Sequence, residues 1–162
     1  SGSNVGVGIT TPNSKLHVDG DIKATGNINA KQRFINTAKY NSTDNSQQYV
    51  RWDAAGSNST PGVNNKFVAP CDGSLISVTI RCTTAGNGTN IAFHKASSGT
   101  ANLNTTATET IGVDIASNNT SYQATFSSST FSAGDILGIS INPSSTPNDV
   151  NISCVWLFDW NS

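Results

Sequence analysis

Carboxylates are the side chains in this sequence with the clearest catalytic potential, because a suitable pair of them can cleave a glycosidic bond. That reaction needs two carboxyl groups about 5 to 9.5 Å apart, with one acting as the acid. Most of the acidic residues are scattered without a motif, namely Glu109 and Asp44, Asp53, Asp72, Asp114, Asp135, Asp149 and Asp159. The sequence therefore predicts no catalytic residues and no enzyme, and polysaccharide cleavage is a distant third possibility.

Metal-binding patterns are equally sparse. His17 and His94 have no second histidine or cysteine at the spacing of a metal site. Residues 19–21 and 148–151 carry Asp and Asn oxygens, but neither follows the spacing of an EF-hand loop, and turn-forming side chains explain both. We expect no metal ion and no cofactor.

The three cysteines are Cys71, Cys82 and Cys154, an odd number that excludes a closed disulfide framework within one chain. Cys82 and Cys154 fall in the apolar phase of alternating runs. Free cysteine packs as a small hydrophobic residue, so we predict that both are reduced and buried.

The charge of the chain excludes two classes of partner. The formal net charge is -1 and only 12% of the residues are charged, which leaves no basic field for nucleic acid or for an anionic membrane surface. No run resembles a signal peptide or a membrane span, so no membrane insertion is predicted. The opening Ser1-Gly2-Ser3 and the lack of Met indicate a fragment whose first three residues come from cloning.

Alternation of apolar and polar residues, broken by turns rich in Gly, Pro, Asn and Ser, marks the later part of the chain as β-structure. No segment keeps the 3.6-residue period of a helix. This pattern predicts an all-β, jelly-roll-like sandwich, the head, over residues 32–162. The candidate strands are 33–40, 48–53, 63–69, 75–83, 89–96, 108–116, 122–126, 136–142 and 150–160.

The earlier part of the chain, residues 1–31, which we call the stalk, contains a six-residue repeat. Its units are SKLHVD, GDIKAT and GNINAK, at 14–19, 20–25 and 26–31. Each unit places two apolar residues two positions apart, on one face of a short strand. The second and third units begin with Gly20 and Gly26, which are expected at bends. His17 falls on the opposite phase and is expected to point outward.

One chain cannot bury the apolar strip of this stalk, because so short a β segment encloses no core. Three chains wound about one axis would each contribute one strip. The sequence therefore predicts a homotrimer with a short intertwined β stalk. The predicted interface residues are Leu16, Val18, Ile22, Ala24, Ile28 and Ala30.

The stretch NVGVGITTPNSKLHVDGDIKATGNINA, residues 4–30, resembles the segment near the C-terminal end of bacteriophage tail fibres and tailspikes. In that family VGIGTTTPSSKLHV and the pattern G-x-I-x-A-T-G recur. From Phe67 onward, FVAPCDGSLISVTI, FSAGDILGISI and DVNISCVWLFD resemble β-rich terminal domains of phage structural proteins. The resemblance implies a virion component in the tail fibre that binds a host surface glycan or protein.

Aromatic and cationic residues near polar loops are the candidates for such binding. Trp52 and Trp156 alternate with apolar neighbours and are predicted to pack in the core. Tyr49 and Arg51 fall on the opposite phase from Trp52, which predicts exposure. The receptor-binding candidates are Tyr40, Tyr49, Arg51 and Tyr122. A purely structural role, as a trimerising cap or collar of the fibre, is the alternative.

Overall fold

The structure, a computed structural model, describes residues 4–26, 30–40 and 44–160, with the backbone alone at Tyr40. Within these ranges the only helical piece is a 3-10 turn at Val63–Asn65, and no helix is long and apolar enough to cross a membrane. The strands are β1 (Val5–Val7), β2 (Leu16–Val18), β3 (Lys31–Tyr40), β4 (Gln48–Val50), β5 (Ser57–Asn58), β6 (Phe67–Val68), β7 (Asp72–Arg81), β8 (Gly86–Ala96), β9 (Glu109–Ile115), β10 (Ser121–Thr125), β11 (Thr130–Phe131), β12 (Ile136–Asn142) and β13 (Val150–Asp159).

Two antiparallel sheets form a sandwich. One has the order β10-β7-β13-β3 with β11 beside β7, and the other has the order β5-β4-β12-β8-β9 with β6 beside β12. From β3 onward, and leaving out the two-residue strands, the chain changes sheet at every connection except the β8–β9 hairpin. This order is that of a jelly roll, which consists of two Greek keys. The prediction of an all-β, jelly-roll sandwich is confirmed.

Trp156 lies at the centre of the core between the two sheets. Its ring meets those of Phe67, Phe93 and Phe131 at centroid distances of 5.2, 6.1 and 6.0 Å, all in steep edge-on geometry. Such aromatic pairs contribute about 0.5–1.5 kcal/mol each beyond the area they bury. Cys154, two residues before Trp156, is also fully buried, as the alternation of β13 predicted.

Most candidate strands match the observed ones to within a few residues, but the prediction of a strand over 63–69 is wrong for its first half. There the buried side chain of Asn65 accepts the N–H of Gly62 at 2.8 Å and donates to the carbonyls of Tyr49 and Val50 at 2.9 and 3.0 Å. These side-chain bonds to the backbone compete with a strand ladder and favour a turn. The short β5 and β11 were not predicted.

The head has two distinguishable ends. β3 begins at Lys31, the last residue of the stalk as the sequence defines it, and Lys31 pairs with Asp159 through the ladder and an ion pair of 3.3 Å. We call this the proximal end. At the other end Tyr40 lies opposite Val150, about 30 Å away at the usual rise of a strand. We call this the distal end.

In the stalk, β1 and β2 pair in parallel, with Val5 opposite Leu16 and Val7 opposite Val18. The four side chains share one face, as the repeat predicted for Leu16 and Val18, and His17 lies on the other. Gly20 and Gly26 both lie at bends, and Gly20 has a φ of 139°.

The second repeat unit departs from the prediction, because residues 20–25 form no strand. Of the predicted interface residues, Leu16, Ile22 and Ala24 are exposed in the single chain, Val18 and Ala30 are half-buried, and Ile28 lies outside the described residues. The division of the chain between residues 31 and 32 stays a prediction.

Candidate functional site

Three loops rich in Asn, Ser and Thr meet at the distal end of the head, at residues 82–85, 116–120 and 143–149. The N–H of Thr83 donates to the carbonyl of Asn148 at 2.9 Å, and the N–H of Asn119 donates to that of Cys82 at 2.9 Å. The N–H of Ala85 donates to the side-chain oxygen of Asn118 at 2.7 Å. These bonds join the loops into one continuous surface.

A groove of about 560 Å³ opens beside these loops. Its floor consists of polar side chains on the outer face of the β7–β13–β3 sheet, and its wall is the turn between β4 and β5. The lining residues are Thr37, Ala38, Lys39, Arg51, Trp52, Asp53, Ala54, Ala55, Thr79, Arg81, Ser121, Asn151, Ile152 and Ser153.

Trp52 anchors the wall of the groove to the core. Its backbone N–H donates to the carbonyl of Asn64 at 2.9 Å, its indole N–H donates to that of Asn65 at 3.2 Å, and its ring meets Phe67 edge-on at 5.7 Å. The N–H of Gly56 also donates to the carbonyl of Lys39 at 3.0 Å, which ties the turn to β3. The half-buried Trp52 therefore packs on the core, as predicted, and also lines the groove, which was not predicted.

Cations outnumber carboxylates along the groove. Arg51 pairs with Asp53 through two contacts, Nε to Oδ1 at 3.3 Å and Nη2 to Oδ2 at 3.4 Å. The guanidinium of Arg81 donates to the backbone and side-chain oxygens of Asn119 at 3.1 and 3.3 Å, and these neutral acceptors orient the charge without cancelling it. Lys39 is exposed and has no carboxylate partner among the described residues.

Three of the acidic residues hold loops together through hydrogen bonds. Glu109 accepts the backbone N–H groups of Ser127 and Ser128 and the hydroxyl of Ser127. Asp72 accepts the N–H of Ala133 at 2.8 Å, and Asp114 that of Gly88 at 2.8 Å. Of the lining residues, one is a carboxylate, whereas glycoside hydrolysis uses two. The arrangement is suited to binding a polar ligand.

The predicted exposure of Tyr49 is wrong, because its side chain is only 3% exposed. That prediction requires one face of β4 to be open to water. The loop after β8 covers that face, so Tyr49 packs with Leu103 and Ile136, meets the His94 ring at 5.1 Å and reaches the Thr105 carbonyl at 3.5 Å. Burial accordingly raises the pKa of Tyr49.

The other three candidates have different surroundings. Arg51 lines the groove. Tyr122 is half-buried and packs against the main core from β10, outside the groove. The side chain of Tyr40 lies outside the described part of the chain. Whether any of these residues contacts a receptor stays a prediction.

His94 and Ser140 form a close pair that resembles a base beside a nucleophile. The Nε2 atom lies 2.7 Å from the Ser140 hydroxyl, and Nδ1 lies 3.0 Å from the carbonyl of Asn104. Both side chains are buried, so no substrate reaches them. Burial lowers the pKa of His94, and hydrogen bonds to the Asn104 and Thr106 carbonyls oppose this shift. The pair is part of the packing.

The residues missed by sequence reasoning are Lys39, Arg81, Asn151 and Trp52 as a lining residue. In the sequence these four residues share only two properties: each is polar or amphipathic, and each lies near the end of a candidate strand. Many other surface residues have the same two properties. Among the described residues, no group of three or more His, Cys, Asp and Glu side chains is placed to hold a metal ion.

Comparisons with known proteins give distant likenesses only. No protein-family model and no curated protein sequence matches the chain. A solved capsid chain of Helicobacter pylori bacteriophage KHP30 aligns with 79% of this chain and 92% of its own length, at 13% identity and a TM-score of 0.38. A chain of the cyanophage Pam1 capsid aligns over 93% and 99%, at 12% identity and a TM-score of 0.33.

Proposed function

We propose that this chain is a structural component of a bacteriophage virion, and specifically the distal part of a trimeric tail fibre whose head binds a receptor on the host surface. The sequence resemblance of residues 4–30 to tail fibres and tailspikes motivates the setting. The observation that carries the binding role is the position of the groove. It lies in the distal half of the jelly roll, where the lining residues of β3, Thr37–Lys39, are about 20–26 Å along the strand from Lys31.

The distal position suits a binding surface because the loops there can change without unfolding the sheets that carry them. A saccharide is the favoured receptor, since a site for it combines hydrogen-bonding groups with an apolar ring face. The groove offers the side-chain oxygen of Asn151, whose amide nitrogen donates to Asp149, together with the hydroxyls of Thr79 and Ser153 and the ring of Trp52. Weak binding by one head would suffice, because several identical heads raise the avidity by orders of magnitude.

Trimer formation is supported by apolar side chains that one chain leaves in water. Leu16 is 56% and Ile22 is 68% exposed in the stalk, and Ile35 is 72% exposed near the proximal end of the head. Phe34 and Trp160, close to that end, are also exposed. Large apolar side chains left in water, in the stalk and near the proximal end of the head, are typical of a protein interface.

The test is adsorption of the purified protein to host cells, with the groove blocked selectively. Because Cys71, Cys82 and Cys154 are buried, a new surface cysteine can be labelled with a bulky polymer. Thr37→Cys places the label in the groove, and Thr125→Cys places it on the same sheet outside the groove. We expect the unlabelled protein to bind cells and to compete with the parent phage, the Thr37 label to abolish binding, and the Thr125 label to leave it intact.

Two results would count against receptor binding. If the unlabelled trimer neither binds cells nor blocks infection, the structural role as a fibre cap or collar replaces it. If cells are bound and both labels are without effect, the receptor surface lies elsewhere on the head. Release of sugar from host polysaccharide by the purified protein would instead favour the polysaccharide-cleaving alternative.

A further inference from the structure

The groove concentrates positive charge on a chain that carries little charge of any sign. Three cations line it, Lys39, Arg51 and Arg81, against one carboxylate, Asp53, while the whole chain has a net charge of -1. The cations come from β3, the β4–β5 turn and β7, so the fold brings together residues that lie far apart in sequence.

The three cations are not equivalent. Asp53 pairs with Arg51 through two contacts and offsets its charge. Lys39 and Arg81 have no carboxylate partner among the described residues, where the ion pairs are Lys31–Asp159 and Arg51–Asp53. Asp149, which contacts Asn151, is not among the lining residues. Two uncompensated positive charges therefore face the groove.

The geometry of Arg81 favours an anion as its partner. Asn119 occupies Nε and Nη2 through neutral oxygens and fixes the plane of the guanidinium. The remaining Nη1 group donates to no described residue. Guanidinium groups pair strongly with carboxylate and phosphate oxygens, and a fixed orientation lowers the entropy cost of doing so. Ser121 and Asn151, beside Arg81, supply hydrogen-bonding groups for neighbouring hydroxyls.

From these observations we infer that the groove binds an acidic saccharide, with the acidic substituent between Lys39 and Arg81 and the neutral hydroxyls on Thr79, Asn151 and Ser153. The inference rests on the proposed receptor-binding function and specifies the ligand class. A carboxylate and a phosphate substituent share the required chemistry.

Titration of the full chain with two matched pairs of probes distinguishes the two substituents. One pair is an oligogalacturonate and its methyl ester, and the other is a phosphorylated mannan oligosaccharide and its dephosphorylated form. We expect the acidic member of at least one pair to bind more tightly than the neutral one. Raising the salt from about 0.1 M to about 1 M shortens the Debye length from about 10 to about 3 Å and should weaken this binding.

Variants locate the effect. Lys39→Gln and Arg81→Gln should each weaken binding of the acidic probe about five- to tenfold. Arg33→Gln is the matched control, because Arg33 is exposed on the same face of β3 at the proximal end, and it should change binding by less than about twofold. Equal affinity for the acidic and neutral members of both pairs would overturn the inference. So would an equal loss in all three variants.

Cell adsorption separates this inference from the proposed function. If wild-type protein binds host cells and Lys39→Gln and Arg81→Gln bind equally well, the receptor-binding role stands and the acidic ligand is wrong. If wild-type protein binds no cells, the proposed function itself fails.

Discussion

Cys154 is packed beneath Trp156 in the sandwich core, and burial raises the pKa of its thiol from 9.0 to about 12. In the unfolded chain the thiol ionises near the lower value. Between the two values the folded state binds more protons, so stability is complete below pH 9.0 and decreases as pH rises toward 12. The loss attributable to this thiol is up to about 1.4 kcal/mol per pH unit.

This predicts a smaller alkaline loss of stability in Cys154→Ala than in the wild type. Urea unfolding at several values from about pH 8 to about pH 11 measures it. The cavity left by the substitution lowers stability equally at every pH, so only the slopes are compared. Parallel slopes above pH 9.0 would show that the thiol is not buried as the structure places it.

His94 gives the opposite dependence on pH. Burial holds its folded-state pKa below 6.5, so the unfolded chain takes up a proton first as the pH falls. Stability is therefore complete above pH 6.5 and decreases as pH falls below that value. In His94→Gln the stability should fall less between pH 6.5 and about pH 5 than in the wild type, while the difference between the two proteins stays constant above pH 7. A difference that does not change with pH would contradict the burial of His94.

The phase of a residue in its strand predicted burial well where a strand has one covered face. It placed Cys154 and Trp156 in the core correctly because the outer face of β13 is open. It failed at Tyr49, because a loop 50 or so residues away in sequence covers the second face of β4. A periodic pattern carries no information about such a distant cover.

Strand β12 is packed on both of its faces. Its inner residues face the main core, and at Gly138 the outer side has no room for a side chain. A methyl group there would lie 2.8 Å from the carbonyl oxygen of Asn65 and would collide with the side chain of Leu103. Both neighbours belong to the segments that pack over this sheet, so the close approach of backbone to backbone needs a glycine.

Gly138→Ala should therefore destabilise the head by about 1–3 kcal/mol, since the Asn65 carbonyl is fixed and cannot move aside. Gly112→Ala is the matched control. Gly112 also lies in a strand, but a methyl group there meets only an amide oxygen of Asn90 at an ordinary 3.6 Å. We expect it to change the free energy of unfolding by less than about 0.5 kcal/mol. Chemical denaturation measures both, and equal effects would mean that the covering segments sit less closely than described.

The strand pattern predicted the elements of the jelly roll but not the groove between them. Alternation and turn residues mark each long strand locally, which is why most boundaries were close. The groove joins residues near positions 38, 52, 80 and 152, which become neighbours only through the sheet order and the β4–β5 turn. The Asn65 turn likewise depends on carbonyls of another strand.

The head and the stalk differ in how much of their apolar side-chain surface is buried. The head encloses Trp156 and its neighbours between two sheets. The stalk has one parallel pair, β1 and β2, whose four apolar side chains share an open face. Exposed apolar area costs about 25 cal/mol per Å² relative to burial, so association of several stalks is favoured.

This imbalance predicts a stable homotrimer, as a molecular mass measured by light scattering at micromolar concentration would show. Ile22→Asp places a charge on the apolar strip and should shift the protein toward monomer, because an unpaired carboxylate is costly to bury. Thr25→Asp adds the same charge at an exposed position outside the predicted interface and should leave the trimer intact. A monomeric wild type, or equal effects of the two substitutions, would show that this strip does not hold the chains together.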